Sequence, residues 1–468
     1  MAITIEQRPL YNILPIGQQV IFAVSDNVIL ENKFKVKFIA QIFVSGTAIN
    51  LSNNNDLIGT FKTTPNNAGV GIFDLRPVLE TFVKPDNEGS TWGNGSRYKT
   101  SSVTHPLHLI DKIAVSENAI KFFAINFYVE YSEDPTGDII DFEDEDPKPT
   151  EEYIMFNGVL QYDDVLTLNS GYYGYDLQAN GFYPNFGTNT FLTNAPRTQN
   201  ARLTDYGTFP FLNQVPLGSD DITSFILTFY DSAGGSLGSS TIVQDYSTGG
   251  TLGQLNYSSS RLMYAGAFPA NLRNYNTTFQ ALVTAGTLAY YDITAVSSGG
   301  TSSASYRINI ICPNERGYEG IRLTWLNQWG VWDYYTFNMK STKSISTKRT
   351  SYTQLGGTWN EKTFSISGYK GGKKNFRVNS TEKIKMNTDF VSEAEGVWFE
   401  ELINSNEVYI VNEYDGTEVA PYDTITNKYI EPVTLTTSSY VKKTIANDKL
   451  MQYTFEIEKS KMQRTQAV

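Results

Sequence analysis

The sequence predicts a mainly β protein: tandem antiparallel β-sandwich domains followed by a C-terminal β-rich domain that carries one short helix. Three observations lead there. The 468 residues include 30 Tyr, 27 Phe and 36 Gly, a mixture that favours strands and tight turns over helices. Apolar and polar residues alternate with period two in several stretches, the spacing of a half-buried strand. Apolar residues make up 40% and charged residues 18%, so the chain folds rather than remaining disordered. At about 150 residues per domain the length corresponds to three domains, each long enough for a substantial core.

The first sandwich is placed at 1–132. Lys33, Lys35 and Lys37 alternate with Phe34, Val36 and Phe38, and Ala40, Ile42 and Val44 continue the apolar face. The turn residues of 66–69 precede a strand at 70–73. Pro77 suits the opening of a short helix, with Asp74 as cap and Val78, Leu79 and Phe82 on one side. Residues 86–108 are polar and loop-like. Residues 119–131 return to a strand whose Phe123, Ile125, Phe127, Val129 and Tyr131 share a face.

Composition breaks sharply at 130–152, where eleven acidic residues stand against Lys148 alone. Like charges repel and prolines stiffen, so 133–152 reads as an extended acidic linker or arm. Residues 153–215 form an aromatic, loop-rich segment whose exposed rings would need a partner chain to cover them. Residues 216–313 form the second sandwich, with ITSFILTFY, LAYYDITAV and SYRINII as strands and Gly234–Gly235 as a turn.

The C-terminal domain, 314–468, contains the densest aromatic stretch, IRLTWLNQWGVWDYYTFNM at 321–339. Two strands meet at a turn near 327–330, and each large ring buries roughly 150–250 Å² when packed. Trp325, Trp329 and Trp332 therefore form a packed core hairpin or, alternatively, a carbohydrate-stacking platform. A basic stretch follows: 340–385 holds eleven basic and two acidic residues, among them Lys370, Lys373 and Lys374 in GYKGGKKNF, read as a hairpin tip. Ser392 with Glu395 three residues later forms a capping-box pattern for a helix over 392–404, with Val397, Trp398, Leu402 and Ile403 as an approximate apolar stripe. EVYIV and KLMQYTFEIEKS supply the last strands.

Local chemistry is sparse. His105 and His108 lie in THPLH without an obvious third ligand, a weak metal site. GGSLG around Ser236 matches the nucleophile-elbow spacing but is followed by Gly, Ser and a strand, so a hairpin turn is favoured. Residues 141–152 imitate a calcium loop, yet Asp146 replaces its glycine, two prolines interrupt it and no helices flank it. GYKGGKKNF lacks the order of a phosphate loop. Cys312, the single cysteine, allows no internal disulfide and follows a strand as a small apolar residue. No catalytic, cofactor-binding or metal-binding set is assigned, and the chain is read as a non-enzyme. The net charge of −12 argues against a general nucleic-acid binder. The N-terminus lacks the basic and apolar regions of a secretory leader, and no apolar run is long enough to span a membrane.

Three stretches share a likeness. FKVKFIAQIFV with GVGIFDLRPVLETF, RLTWLNQWGVWDYYTF, and TTSSYVKKTIANDKLMQYTFEIE together resemble virion structural proteins of tailed phages of Bacteroidota hosts, including crAss-like phages. The resemblance implies a tail, collar or ring component, made in the host cytoplasm and built into the virion beside copies of itself and other virion proteins. It carries over no ligand residue. A carbohydrate- or receptor-binding module of a phage tail, with a host-surface glycan as partner, is the second expectation, and a glycoside hydrolase the third. Charge adds one expectation of its own. The net −10 of 130–152, with Glu143, Asp144, Glu145 and Asp146 at its centre, nearly matches the net +9 of 340–385. The acidic arm of one subunit would lie on the basic face of the next; an intramolecular contact and two unrelated solvated surfaces are the alternatives.

Overall fold

The computed structural model describes residues 3–52, 54–86, 113–116, 118–140, 146–159, 191–212, 222–243, 261–297, 299–300, 302–311, 317–359, 361–366, 368–412, 430–441 and 451–460. The chain is mainly β, with antiparallel sheets stacked as sandwiches and few helices. It divides into two compact units, 1–312 with 326–334, and 313–325 with 335–468.

The first unit opens with a sandwich. One sheet joins Thr4–Gln7, Ile21–Ser25 and Val70–Asp74. The other runs in the order Ile13–Pro15, Tyr153–Phe156, Ile120–Ser132, Phe34–Ser45, Leu57–Thr63. Only its first pair, Ile13–Pro15 with Tyr153–Phe156, is parallel. Alternate residues of both sheets meet in one core: Phe22, Val24 and Phe73 from one, Phe38, Ile42, Phe123, Ile125 and Phe127 from the other. Phe22 lies 5.8 Å from Phe127 and edge-on to Tyr153 at 5.7 Å, the tilted and T-shaped arrangements that aromatic quadrupoles favour. The predicted apolar face of the lysine-rich strand holds from Phe38 onward. Before it, Lys35 has φ +52°, the register slips between Phe34 and Lys37, and Phe34 is left exposed. In the short helix Arg76–Leu79 the N-cap is Leu75, while the Asp74 carboxylate accepts from the Arg76 N–H.

The acidic segment differs from the linker or arm expected of it. Ile139–Ile140 pairs with Tyr131 and Ser132, Lys148–Pro149 pairs with Phe127 and Asn126, and the Thr150 N–H donates to Ile125 O. The chain thus folds back along Ile120–Ser132 and continues into the same sheet at Tyr153–Phe156. Glu130 is a buried strand residue between Lys37, at 3.3 Å, and Lys62. Composition missed this because neighbouring strands supply the cations that let an acidic run lie down. Residues 141–145 lie outside the described residues.

The second sandwich packs a five-stranded sheet, in the order Thr198–Arg202, Tyr306–Ile311, Tyr290–Ser297, Ile222–Tyr230, Ser236–Val243, against a three-stranded one of Phe209–Leu212, Leu262–Ala265 and Ile113–Val115. The pair Thr198–Arg202 with Tyr306–Ile311 is parallel. Ile113–Val115 precedes residue 132, so the two sandwiches are not separated at the boundary expected from sequence. Residues 191–212, assigned to the loop-rich segment, are in fact core: Phe191 and Phe209 are buried 5.0 Å apart. The remainder of that aromatic run, 160–190, lies outside the described residues, as do Cys312, His105 and His108. Two helices, Pro269–Tyr275 and Thr277–Ala285, cover this core with Leu272 and Phe279. Sequence reading passed over them, although Pro269 in the first turn, the Asn276 carboxamide capping the Phe279 N–H at 2.9 Å and Gly286 at φ +67° are start and stop signals. Ser236 opens a strand after a turn closed by Asp231, so its elbow-like spacing is a hairpin.

A further sheet, most of it in the second unit, runs Trp332–Phe337, Ile321–Leu326, Val408–Val411, Ile430–Leu435, Thr454–Lys459, Gly372–Asn387, Thr342–Gln354. The helix Glu393–Asn404 starts at the predicted capping box: Ser392 Oγ accepts from the Glu395 N–H and the Glu395 carboxylate accepts from the Ser392 N–H. Its buried stripe is Trp398, Phe399 and Leu402, whereas Val397, expected on that stripe, is exposed. Trp398 lies 4.9 Å from Trp325, and Phe399 lies 4.9 Å from Tyr335 and 5.5 Å from Phe455.

Candidate functional site

The three tryptophans named from sequence are all buried: Trp325 and Trp332 completely, Trp329 to 2% exposure. Of the two readings of this hairpin, the packed core is the one its geometry allows, because no ring face stays open to stack on a sugar. Around the turn, Asn327 Oδ1 accepts from the N–H groups of Trp329 and Val331, and its amide donates to Leu192 O at 3.0 Å. Trp332 Nε1 donates to Asp86 O, and Thr193 Oγ1 donates to Asp333 at 2.6 Å. Gly330 has φ +70°, and a Cβ there would stand 1.5 Å from Asn157 O. Glycine is the residue that fits.

The basic stretch is built differently. Thr342–Gln354 pairs with Gly372–Asn387 over its whole length, but only 383–387 pair onward with Thr454–Lys459. From 345 to 354 the hairpin is therefore a two-stranded ribbon extending past the sheet for roughly 33 Å, at 3.3 Å per residue. Its register puts Lys348 with Asn379, Thr350 with Arg377 and Tyr352 with Lys374 on one face, and Ile345 with Glu382 and Arg349 with Val378 on the other. Ser346 and Thr381 hydroxyls join across the first face at 2.8 Å. Phe376 is the extra residue of a bulge between Arg377 and Asn375, and it is exposed.

Two lysines at the ribbon's base are neutralised locally: Lys343 by Glu319 at 2.7 Å, and Lys383 by Glu456 and Glu458. Farther out, Lys348, Arg349, Lys370, Lys373, Lys374 and Arg377 make no ion pair with a described residue. The ribbon ends in a tip, 355–371, that holds its own shape. Thr358 Oγ1 donates to Thr363 O and accepts from the Ser365 N–H, both at 2.8 Å, and Gly357 takes φ +83°. Trp359 packs edge-on to Phe364 at 5.3 Å. Yet Leu355 is 69% exposed, Trp359 65%, Phe364 58%, Ile366 82% and Tyr369 75%. Sequence reading found the lysines here and missed these apolar side chains. The signal was present, five large apolar residues within fifteen, but their exposure depends on the lack of a covering element among the described residues.

Of the acidic residues named from sequence, Asp146 is exposed and Glu143, Asp144 and Glu145 lie outside the described residues. Glu151 pairs with Arg8 at 2.6 Å, and Glu152 accepts from the Ile49 N–H. Among the described residues no group of three or more His, Cys, Asp or Glu could hold a metal ion, and no helix is long and apolar enough to cross a membrane.

No family model and no curated protein matches the chain. Among solved structures, it is similar to Escherichia coli alpha-2-macroglobulin in its native conformation, at 7% identity over 82% of this chain and 21% of that one, with a TM-score of 0.17. It is likewise similar to Salmonella alpha-2-macroglobulin reacted with methylamine, at 9% identity over 97% and 23%, with a TM-score of 0.17. The chain spans about a fifth of the length of these structures, and likeness at so low a TM-score bears on neither the fold nor the activity of this protein.

Proposed function

We propose that this protein is a structural component of a tailed-phage virion, a tail, collar or ring subunit that associates with copies of itself into a symmetric oligomer and contacts other virion proteins. The observation that carries the reading is the exposed ribbon. A two-stranded hairpin is marginal in water by itself, and a monomer seldom leaves several large apolar side chains uncovered together. An element of this kind is what subunits use to reach one another. The resemblance of three stretches to virion proteins of Bacteroidota phages supports the setting.

Two measurements test it. Purified full-length chain should sediment as an oligomer, with closed rings in negative-stain images, and antibody against the chain should label assembled particles. A chain absent from particles would sink the reading. The exposed rings at the tip, Trp359 and Tyr369, favour a second reading, a carbohydrate- or receptor-binding module. It predicts that the monomer retains host polysaccharide on an affinity column and that Trp359→Ala abolishes the retention.

A further inference from the structure

We infer that the ribbon docks onto a second copy of this chain, with the apolar tip as anchor and the basic stem lying against the acidic remainder of the neighbour. The inference rests on the reading of a self-associating subunit and names the contact that such a subunit uses. The tip is ordered before anything covers it, because Thr358 and Gly357 fix its backbone from within. A surface already in shape loses little conformational entropy on docking. Leu355, Trp359, Phe364, Ile366 and Tyr369 supply the aromatic and aliphatic side chains that carry binding energy at interface centres.

Charge selects the occupant. Residues 340–385 carry +9 in a chain whose total is −12, which leaves −21 for everything else. A second copy therefore offers a strongly acidic body. The cations Lys348, Arg349, Arg377, Lys374 and Lys373 occupy the outer stem over roughly 17 Å, and Lys362 and Lys370 continue them into the tip, so the matching surface must lie alongside the outer stem as well as around the tip. A bilayer that took the tip would leave Lys348, Arg349 and Arg377, farther down the stem, without a partner. A nucleic acid would be repelled by the rest of the chain and would gain nothing from Leu355 or Ile366. Because the ribbon on one copy meets a different surface on the next, the contact is heterologous, the kind that closes into a ring or grows into a filament. The summed field steers approaching copies and is screened over about 8 Å at physiological salt, so association slows as salt rises.

The test uses the full chain and two variants, compared by sedimentation and thermal melting. One carries Trp359→Ser, Ile366→Ser and Tyr369→Ser; the other replaces 346–381 with a two-residue turn. The tip variant is expected to melt like the unaltered chain while associating roughly a hundredfold or more weakly, the scale set by losing central anchors. The ribbon-less chain is expected to stay monomeric alone, yet to bind unaltered chain and cap its growth. Equal association by the tip variant overturns the inference even if the ribbon-less chain does not fold, and leaves self-assembly standing. A virion-borne chain that stays monomeric at every concentration, or whose tip instead captures anionic vesicles or duplex DNA, also overturns it, without touching the virion role.

Discussion

Two aromatic hairpins follow one another in the last third of the chain, and they end in opposite environments. The first, with strands Ile321–Leu326 and Trp332–Phe337, buries every tryptophan it has. The second, with strands Thr342–Gln354 and Gly372–Asn387, displays its tryptophan, two phenylalanines and two tyrosines. Both are closed by glycines at positive φ, Gly330 in one and Gly357, Gly371 and Gly372 in the other. Both fix their turns with side-chain hydrogen bonds, through Asn327 and Thr358. The difference is what lies against them. The first turn is met by its own chain, through Leu192, Asp86 and Asn157. The second meets no other described element. Aromatic content thus says that a hairpin has something to bury, and only its surroundings say whether the chain itself provides the cover.

The contrast can be broken by experiment, and the largest expected effect is at the buried hairpin. Trp332→Ala should cost about 3–5 kcal/mol, the usual range for removing a large buried aromatic, read as a lower denaturation midpoint. A cost below about 1 kcal/mol would show that this ring is not core. Gly330→Ala should be destabilising for a different reason, since its Cβ collides with backbone at Asn157 and its φ is left-handed. A melt unchanged by that substitution would mean the turn is not seated as described.

Alkaline pH probes the same burial without mutation. Burial, and then the charge of Glu395, raise the pKa of Tyr335 above its ordinary 10.0, and burial followed by Asp86 raises that of Tyr264. Each is therefore held neutral more strongly in the fold than in the unfolded chain. Their stabilisation is fully present below pH 10 and is lost as pH rises beyond it toward the folded-state values. Melting temperature should fall above pH 10, and tyrosinate absorbance from these rings should appear only with unfolding. Early, reversible ionisation of every tyrosine would contradict their burial.

A smaller effect is expected at the helix that covers Trp325. Ser392→Ala removes one half of the capping box and should cost about 1 kcal/mol, leaving the ribbon untouched. Smallest of all is Trp359→Ala, expected to change stability by no more than about 0.5 kcal/mol, as surface substitutions do. Should Trp359→Ala destabilise the monomer as much as Trp332→Ala, the two hairpins are alike and the contrast fails.

Much of this molecule could be read before folding. Period-two alternation placed Ile222–Tyr230 and Tyr306–Ile311, whose side chains alternate across the sheet, and an apolar run placed Ile120–Ser132, which is buried on both faces. The Ser392 and Glu395 pair placed the C-terminal helix, because capping is local chemistry between near neighbours. Glycine and asparagine placed the turn at 327–330 for the same reason. Other features depended on partners distant in sequence. Glu130 looked like part of a solvated run until the strands bearing Lys37 and Lys62 came beside it. Ile113–Val115 fell inside the first expected domain, 1–132, until it paired with Leu262–Ala265. Lys370, Lys373 and Lys374 were visible as charge, but Leu355, Trp359 and Ile366 became a candidate surface only because the ribbon runs past its sheet with no layer of described residues against it. Sequence by itself determined many of the strands, turns and caps, since those follow from neighbours a few residues apart. Tertiary structure alone decided which charges are paired and which aromatics are covered, since burial is set by whatever segment, however remote in the chain, arrives to exclude water.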